Sequence, residues 1–443
     1  MLSAGTEEPI ITVGVADRQS EVKGRLNGLY LIEGARSLSG SFHARAAASG
    51  IELFDEGGQL VACSPSVRLI VREGSTFTIL GVTIGIRFHW ERKEDQAFQG
   101  NLVLADRGDG TMAVINEVPV EDYLVSVISS EMSGRAPGEF LKAHAIMSRS
   151  WLMAALGQKG TLGAVMRPGQ GPGELVRWYN REDHDIFDVC ADDHCQRYQG
   201  ITKIVSGEAA RAVRETRGLV LFYGDTVCDA RYYKACGGLT ENYETAWEDI
   251  HIPYLVSVTD WHDTYGPVLS EEEAARWIFS SPDAYCNTKD ASLLAEVLPG
   301  FDQETTNFFR WKVEYSRGEL EEIIRQRSGM DPGTLVALTP LERGPSGRIF
   351  RLRITGTKGS VIIGKELEIR RWLSTSHLYS SAFVVSTEGP PGGPPERFIL
   401  NGAGWGHGVG LCQIGAAVMA TKGFTAPQIL EHYFRGTRIE RMY

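Results

Sequence analysis

Near residue 120 the spacing of apolar residues changes from every second position to every third or fourth. This switch divides the 443-residue chain into parts that must fold differently. Before it, "ITVGVAD", "GLYLIEG", "STFTILGVTIGIRF" and "GNLVLADRGDGTMAVIN" read as short alternating strands between glycine turns. After it, "PVEDYLVSVISSEM" and "PGEFLKAHAIMSRSWLMAAL" carry helical periods, and strands return at "RGLVLFYGDTVCDARYYKA". The expected fold is α+β, with a mixed core built from the middle and C-terminal segments. Its parts are a β-rich N-terminal region (1–116), a core segment (117–269), an accessory α+β lobe (270–375) and a C-terminal part of the core (376–443). "STEGPPGGPPERF" is an expected exposed loop, and the tail reads as a glycine-rich loop followed by two helices, the first closed by Gly423.

Composition excludes several function classes. A net charge of −11 and a pI near 5.5, without a cluster of Lys and Arg, argue against a nucleic-acid partner. No run of 18 or more apolar residues is present, so no membrane-spanning helix is expected. The first residues have neither a basic nor an apolar region, so they are not read as a signal peptide; if the protein is exported, this chain is a mature or trimmed form. Seven cysteines, an odd number, do not make a complete disulfide framework.

On a helix Val120, Leu124, Val127 and Glu131 share one face with Ile128 beside them, so a carboxylate ends an apolar stripe. A carboxyl group held against hydrophobic neighbours gains proton affinity, the property a general acid needs near neutral pH. The same placement also suits a helix-terminal Glu that reaches solvent or pairs with an arginine. In the next helix, expected to start at Pro137, Lys142 and Arg149 lie seven apart on nearly one side, ready to bind an anionic group or to face water. His144 points elsewhere on the wheel.

The stretch "EDHDIFDVCADDHCQRYQG" gathers His184, Cys190, His194 and Cys195. Two thiolates and two imidazoles suit tetrahedral zinc in a closed structural site; the alternative is a loop with free thiols and unrelated histidines. "NGAGWGHGVGLCQIG" lacks the GxGxxG spacing of a nucleotide loop, and its alternate glycines suit close backbone approach, as in a saccharide groove beside Trp405 and His407 or in tight packing. Tyr232 and Tyr233 are candidates to stack on sugars or pack a strand. Cys236 with His407 as base is a further candidate, a thiol nucleophile.

The blocks "EMSGRAPGEFLKAHAIMSRSW", "TRGLVLFYGDTVCDARYYKACGGLTENYETAWE", "PYLVSV", "GWGHGVGLCQIGA" and "ILEHYFRGT" occur in this order, and together they resemble the stage II sporulation protein D (SpoIID) and amidase-enhancer LytB family. The resemblance covers about 117–258 and 398–443. It implies a lytic transglycosylase acting on peptidoglycan glycan strands, especially those stripped of stem peptides, in the cell envelope. Glu131 matches the family's catalytic glutamate, Lys142 and Arg149 its supporting helix residues, and His144 stands where glutamine is usual. Tyr233, Trp405 and His407 join these three as expected substrate contacts. Some family members have a similar zinc-binding His and Cys cluster. Cys236 replaces a small polar residue of the family's "SxSGG"-like segment, which leaves hydroxyl contacts from that position in doubt.

The chemistry agrees with the resemblance. Ordinary glycosidases need two carboxylates. A lytic transglycosylase manages with one, which protonates the glycosidic oxygen and then assists the substrate's own 6-hydroxyl. Glu241 is the nearest rival carboxylate. The alternative function is a non-catalytic wall-binding protein that enhances a separate amidase.

Overall fold

The computed structural model describes residues 7–32, 36–85, 91–157, 173–179, 184–192, 194–304 and 307–443. The ends of two expected strands, 33–34 and 86–88, lie outside these. The fold is α+β, as the change of period implies.

Eleven described strands form the large N-terminal sheet. Its long strand Glu21–Ile32 alternates buried Val22, Leu26, Tyr30 and Ile32 with exposed residues, so one face packs inward. The strand Ile10–Gln19 pairs antiparallel with Met112–Pro119 on one side and parallel with the short strand Val189–Cys190 on the other. Gly14 is needed at that seam, because a Cβ there would lie 2.6 Å from the Phe187 ring.

Two helices follow directly from this sheet. Helix α1 (Val120–Glu131) buries Val120, Leu124, Val127 and Ile128, the expected stripe. Helix α2 (Gly138–Gly157) begins just after Pro137, whose carbonyl accepts the Leu141 N–H. It is buried on nearly every side by α1, by α3 (Gly207–Glu215), by the strand Leu219–Tyr223 and by the C-terminal helices Gln413–Thr421 and Ala426–Tyr433. One apolar core joins these elements to the N-terminal sheet, from Ile11 to Phe434.

A second core lies between a four-stranded sheet, ordered Glu174–Val176, Gly359–Gly364, Ile349–Gly356 and Leu335–Arg343, and a three-stranded sheet centred on Arg397–Ala403. Its apolar side chains run from Trp311 to Leu400, past residue 375, whereas Tyr285 to Phe309 pack into the first core. The strand Arg397–Ala403 leads straight into the glycine loop, so this lobe positions Trp405. "STEGPPGGPPERF" is the exposed hairpin between Phe383–Glu388 and that strand. Gly423, at φ +91°, closes the helix Gln413–Thr421 as expected.

Candidate active site

Glu131 is the last residue of α1, half-buried, in the wall of a cleft of about 590 Å³ between the two cores. The helix ends there because Met132 turns to extended backbone and buries its side chain. Two donors from different segments meet at one carboxylate oxygen: the Arg197 N–H and the Tyr232 hydroxyl each lie 2.9 Å from Glu131 Oε1. Among the described residues Oε2 accepts no hydrogen bond. Burial, with the Glu131 charge second, pushes the Tyr232 phenol well above its usual range, so it remains a donor.

Lys234 stands below this pair. Its Nζ donates to the Glu131 carbonyl at 3.2 Å and forms an ion pair with Asp302 at 2.7 Å. Aromatic rings of Trp151, Tyr233, Tyr379 and Trp405 line the cleft, with Arg197, Arg231 and Arg370 adding positive charge. Trp405 is fixed by stacking on Phe308, centroids 5.0 Å apart, and by the edge of Tyr379.

The expected substrate contacts divide. Tyr233, Trp405 and His407 line the cleft. His407 Nδ1 accepts the Val409 N–H, its ring packs against Tyr233 and Trp247, and burial holds its pKa well below the ordinary value. Lys142 and Arg149 do not reach the cleft. Lys142 pairs with Glu139 and Glu215, while Arg149 is fully buried and holds Glu121 through Nε and Nη2 at 3.0 and 2.5 Å. The reason is packing: α2 is enclosed by other elements, so its shared basic side is not a free face. His144 is also out of the cleft, wholly buried, 3.0 Å from the Gln413 amide and edge-on to Tyr232.

Two rival readings lose their geometry. Cys236 is buried with its Sγ 3.3 Å from that of Cys286, and no hydrogen bond joins it to His407 among the described residues. Glu241 is fully buried, receiving the Ser346 hydroxyl at 2.6 Å and the Asn242 N–H at 2.8 Å. It does not line the cleft.

His184, Cys190, His194 and Cys195 do come together, their ligand atoms all within 4.8 Å of one another. His184 Nε2 is 3.4 Å from Cys195 Sγ, and His194 Nδ1 is 3.8 Å from Cys190 Sγ. Hydrogen bonding from Cys195, then from the histidines, drives the Cys190 thiol far below its usual pKa. Tetrahedral zinc bound at about 2.0–2.3 Å needs its ligand atoms roughly 3.3–3.8 Å apart, so the donor set fits. His194 and Cys195 also line the cleft, and Arg197 is two residues on, so this loop carries the N–H that anchors Glu131.

Residues 108–223 match the family described as "Stage II sporulation protein" (SpoIID), and residues 241–410 match a domain of unknown function, DUF8618. The chain is 26% identical over 336 residues to stage II sporulation protein D of Bacillus amyloliquefaciens, covering 73% of this chain and 75% of that one. It is 25% identical over 327 residues to the Bacillus subtilis (strain 168) protein of the same name, with the same coverage. These matches make the chain similar to the SpoIID and LytB proteins, with residues 108–223 carrying the SpoIID match. A third relative, the amidase enhancer of Bacillus subtilis, is 22% identical over 240 residues, which is 52% of this chain and 32% of that protein.

Within this SpoIID-like chain, sequence reasoning did not single out Lys234, Asp302, Arg197, Arg370 or Tyr379 as cleft residues. Lys234 follows the Tyr pair and was within reach of a strand argument. Asp302 and Tyr379 come from distant segments that only tertiary packing brings to Glu131.

Proposed function

We propose that the chain is a lytic transglycosylase that cleaves peptidoglycan glycan strands, above all those lacking stem peptides, in the cell envelope. The SpoIID match over residues 108–223 and the similarity to SpoIID and amidase-enhancer proteins support a cell-wall role. The observation that carries the enzymatic reading is the state of the Glu131 carboxylate in the cleft: Oε1 is fixed by two donors while Oε2 accepts nothing among the described residues. An oxygen so left is the one to hold and deliver a proton. Glu131 protonates the glycosidic oxygen as the bond to the anomeric carbon breaks, which releases a sugar hydroxyl. The resulting carboxylate then takes the proton of the substrate's 6-hydroxyl as that oxygen bonds to the anomeric carbon. The products are a 1,6-anhydromuramyl end and a free saccharide end, with no water consumed.

Tyr233, Tyr379 and Trp405 offer ring faces or edges to sugar, and Arg197, Lys234 and Arg370 supply the cationic field for the lactyl carboxylate. His184, Cys190, His194 and Cys195 would hold a structural zinc ion, which when bound fixes the loop that presents the Arg197 N–H to Glu131. Peptide-free glycan strands incubated with purified protein should yield 1,6-anhydromuramyl ends by mass spectrometry. Absence of those ends sinks the reading.

A second reading is favoured by the similarity to the amidase enhancer: a glycan-binding protein that stimulates a separate amidase. It requires glycan pull-down without any cleaved bond.

A further inference from the structure

Behind the cleft lies a second group of metal-ligating side chains, unrelated to the His and Cys cluster above. Cys236, Asp260, Cys286 and Cys412 come from four separate segments, and all four are buried, the most exposed at 3%. Their ligand atoms lie within 4.8 Å of one another. We propose that these three cysteines and the aspartate hold a structural zinc ion.

Spacing is the first argument. A tetrahedral zinc with thiolates at about 2.3 Å and a carboxylate oxygen at about 2.0–2.2 Å sets its ligand atoms roughly 3.5–3.8 Å apart. The Cys236 and Cys286 sulfurs at 3.3 Å need only a small separation to reach it. An iron–sulfur cluster spreads its ligands over two or more sulfide-bridged irons and so requires a wider cage.

The surroundings are those of thiolates and a charged carboxylate. Backbone N–H groups of Cys236 and Gly238 donate to the sulfurs of Cys412 and Cys236, each at 3.3 Å. Asp260 receives the Cys286 N–H on Oδ2 at 2.8 Å and the Tyr433 hydroxyl on Oδ1. Gly415 makes room for it, since a Cβ there would lie 2.3 Å from Asp260 Oδ1. Yet no Lys or Arg pairs with Asp260 among the described residues, and a buried carboxylate without a cation is costly. Zinc supplies the cation.

Charge balance extends one layer further. Three thiolates, one carboxylate and Zn²⁺ sum to −2. Arg348 and Arg310 donate to the backbone carbonyls of Cys236 and Gly237 at 3.3 and 2.9 Å, placing two positive charges beside the group. A Cys236–Cys286 disulfide, the competing use of the closest pair, leaves Cys412 idle and Asp260 without its cation.

The ion would staple the strand that ends at Cys412 to the segment after Tyr232–Tyr233, and both to the 259–260 and 284–286 turns. Lys234 sits on the segment after Tyr232–Tyr233, and Trp405 pairs by backbone with Ala235 of the same segment, so the metal fixes the cleft floor from behind.

The test uses the full chain. In the double variant Cys190→Ser/Cys195→Ser, elemental analysis should still find one zinc per chain, and cobalt substitution should give the intense absorption of a tetrahedral thiolate site. Adding Asp260→Asn and Cys412→Ser should abolish both. A folded double variant without metal overturns the proposal, as does a Cys236–Cys286 disulfide found by non-reducing peptide mapping. Should these variants fail to fold, native alkylation of the wild-type chain decides. Joint exposure of Cys236, Cys286 and Cys412 by a chelator supports the site, and chelator-independent labelling or none at all overturns it.

Discussion

Tyr232 donates its phenolic hydrogen to Glu131 Oε1, the oxygen that also receives the Arg197 N–H. The two donors fix the carboxylate plane from opposite segments of the chain, one from the strand Tyr232–Tyr233 and one from the His and Cys loop. Glu131→Gln keeps an acceptor for both and removes only the proton to be given. Its yield of anhydromuramyl ends should fall about 10²–10⁴-fold, with thermal unfolding nearly unchanged. An undiminished yield removes Glu131 from the chemistry.

Tyr232→Phe tests the positioning itself. Losing one hydrogen bond to a charged group costs about 1.5–3 kcal/mol, or roughly 10–100-fold in kcat. KM should change little, because the phenol acts through Glu131. A rise in KM alone, with kcat intact, would assign Tyr232 to saccharide binding instead.

Arg149→Ala should unfold the protein at markedly lower urea, a loss of about 3–5 kcal/mol, because it strands the Glu121 carboxylate in the interior. Glu121 also receives the Gly218 N–H and the Tyr443 hydroxyl, so one ion pair ties α1, α2 and the C-terminus. Lys142→Ala breaks only half-exposed pairs and should cost within about 1 kcal/mol, with kcat/KM preserved. Equal stabilities for the two variants contradict this division.

His144 gives a pH prediction. Burial lowers its pKa from 6.5 to about 3, so the folded state keeps it neutral where the unfolded chain protonates it. The unfolded state therefore binds more protons between these values. Stability from this residue is complete above about pH 6.5 and is lost as pH falls toward about 3. A glutamine at this position retains a polar partner for Gln413 without titrating. His144→Gln should flatten the acid limb of the stability curve by up to about 1.4 kcal/mol per pH unit, read from urea midpoints between pH 4 and 6.

Zinc in the His and Cys loop is checked apart from activity. Cys195→Ser should lower bound zinc by one ion per chain and increase protease cleavage between 184 and 199. Unchanged metal content rules out this ligand set.

The sequence carried the switch of period, the α1 stripe ending in Glu131, the Gly423 helix end and the two-cysteine, two-histidine group, all of which are local patterns. It failed for Lys142 and Arg149, because a helical wheel shows which residues share a side but not what covers that side. Arg149 looked like a surface cation and is enclosed by Glu121, Leu219 and α2's neighbours. Asp302 and Tyr379 carry no local signal and enter the cleft only through long-range packing. In sequence Cys236 carries only a minor thiol-nucleophile candidacy beside His407, and its neighbours Asp260, Cys286 and Cys412 lie as many as 176 residues away.

The parallel pairing of Val13 with Val189 and Gly14 with Cys190 has a practical corollary. A shortened version that starts at residue 117, on the assumption that the catalytic unit is self-sufficient, strips the partner strand from Val189–Cys190 and leaves Phe187 without its seat over Gly14. The loop that aims Arg197 at Glu131 would then hang from one end only. What resembles a detachable preface is, mechanically, the bracket on which Glu131 is mounted.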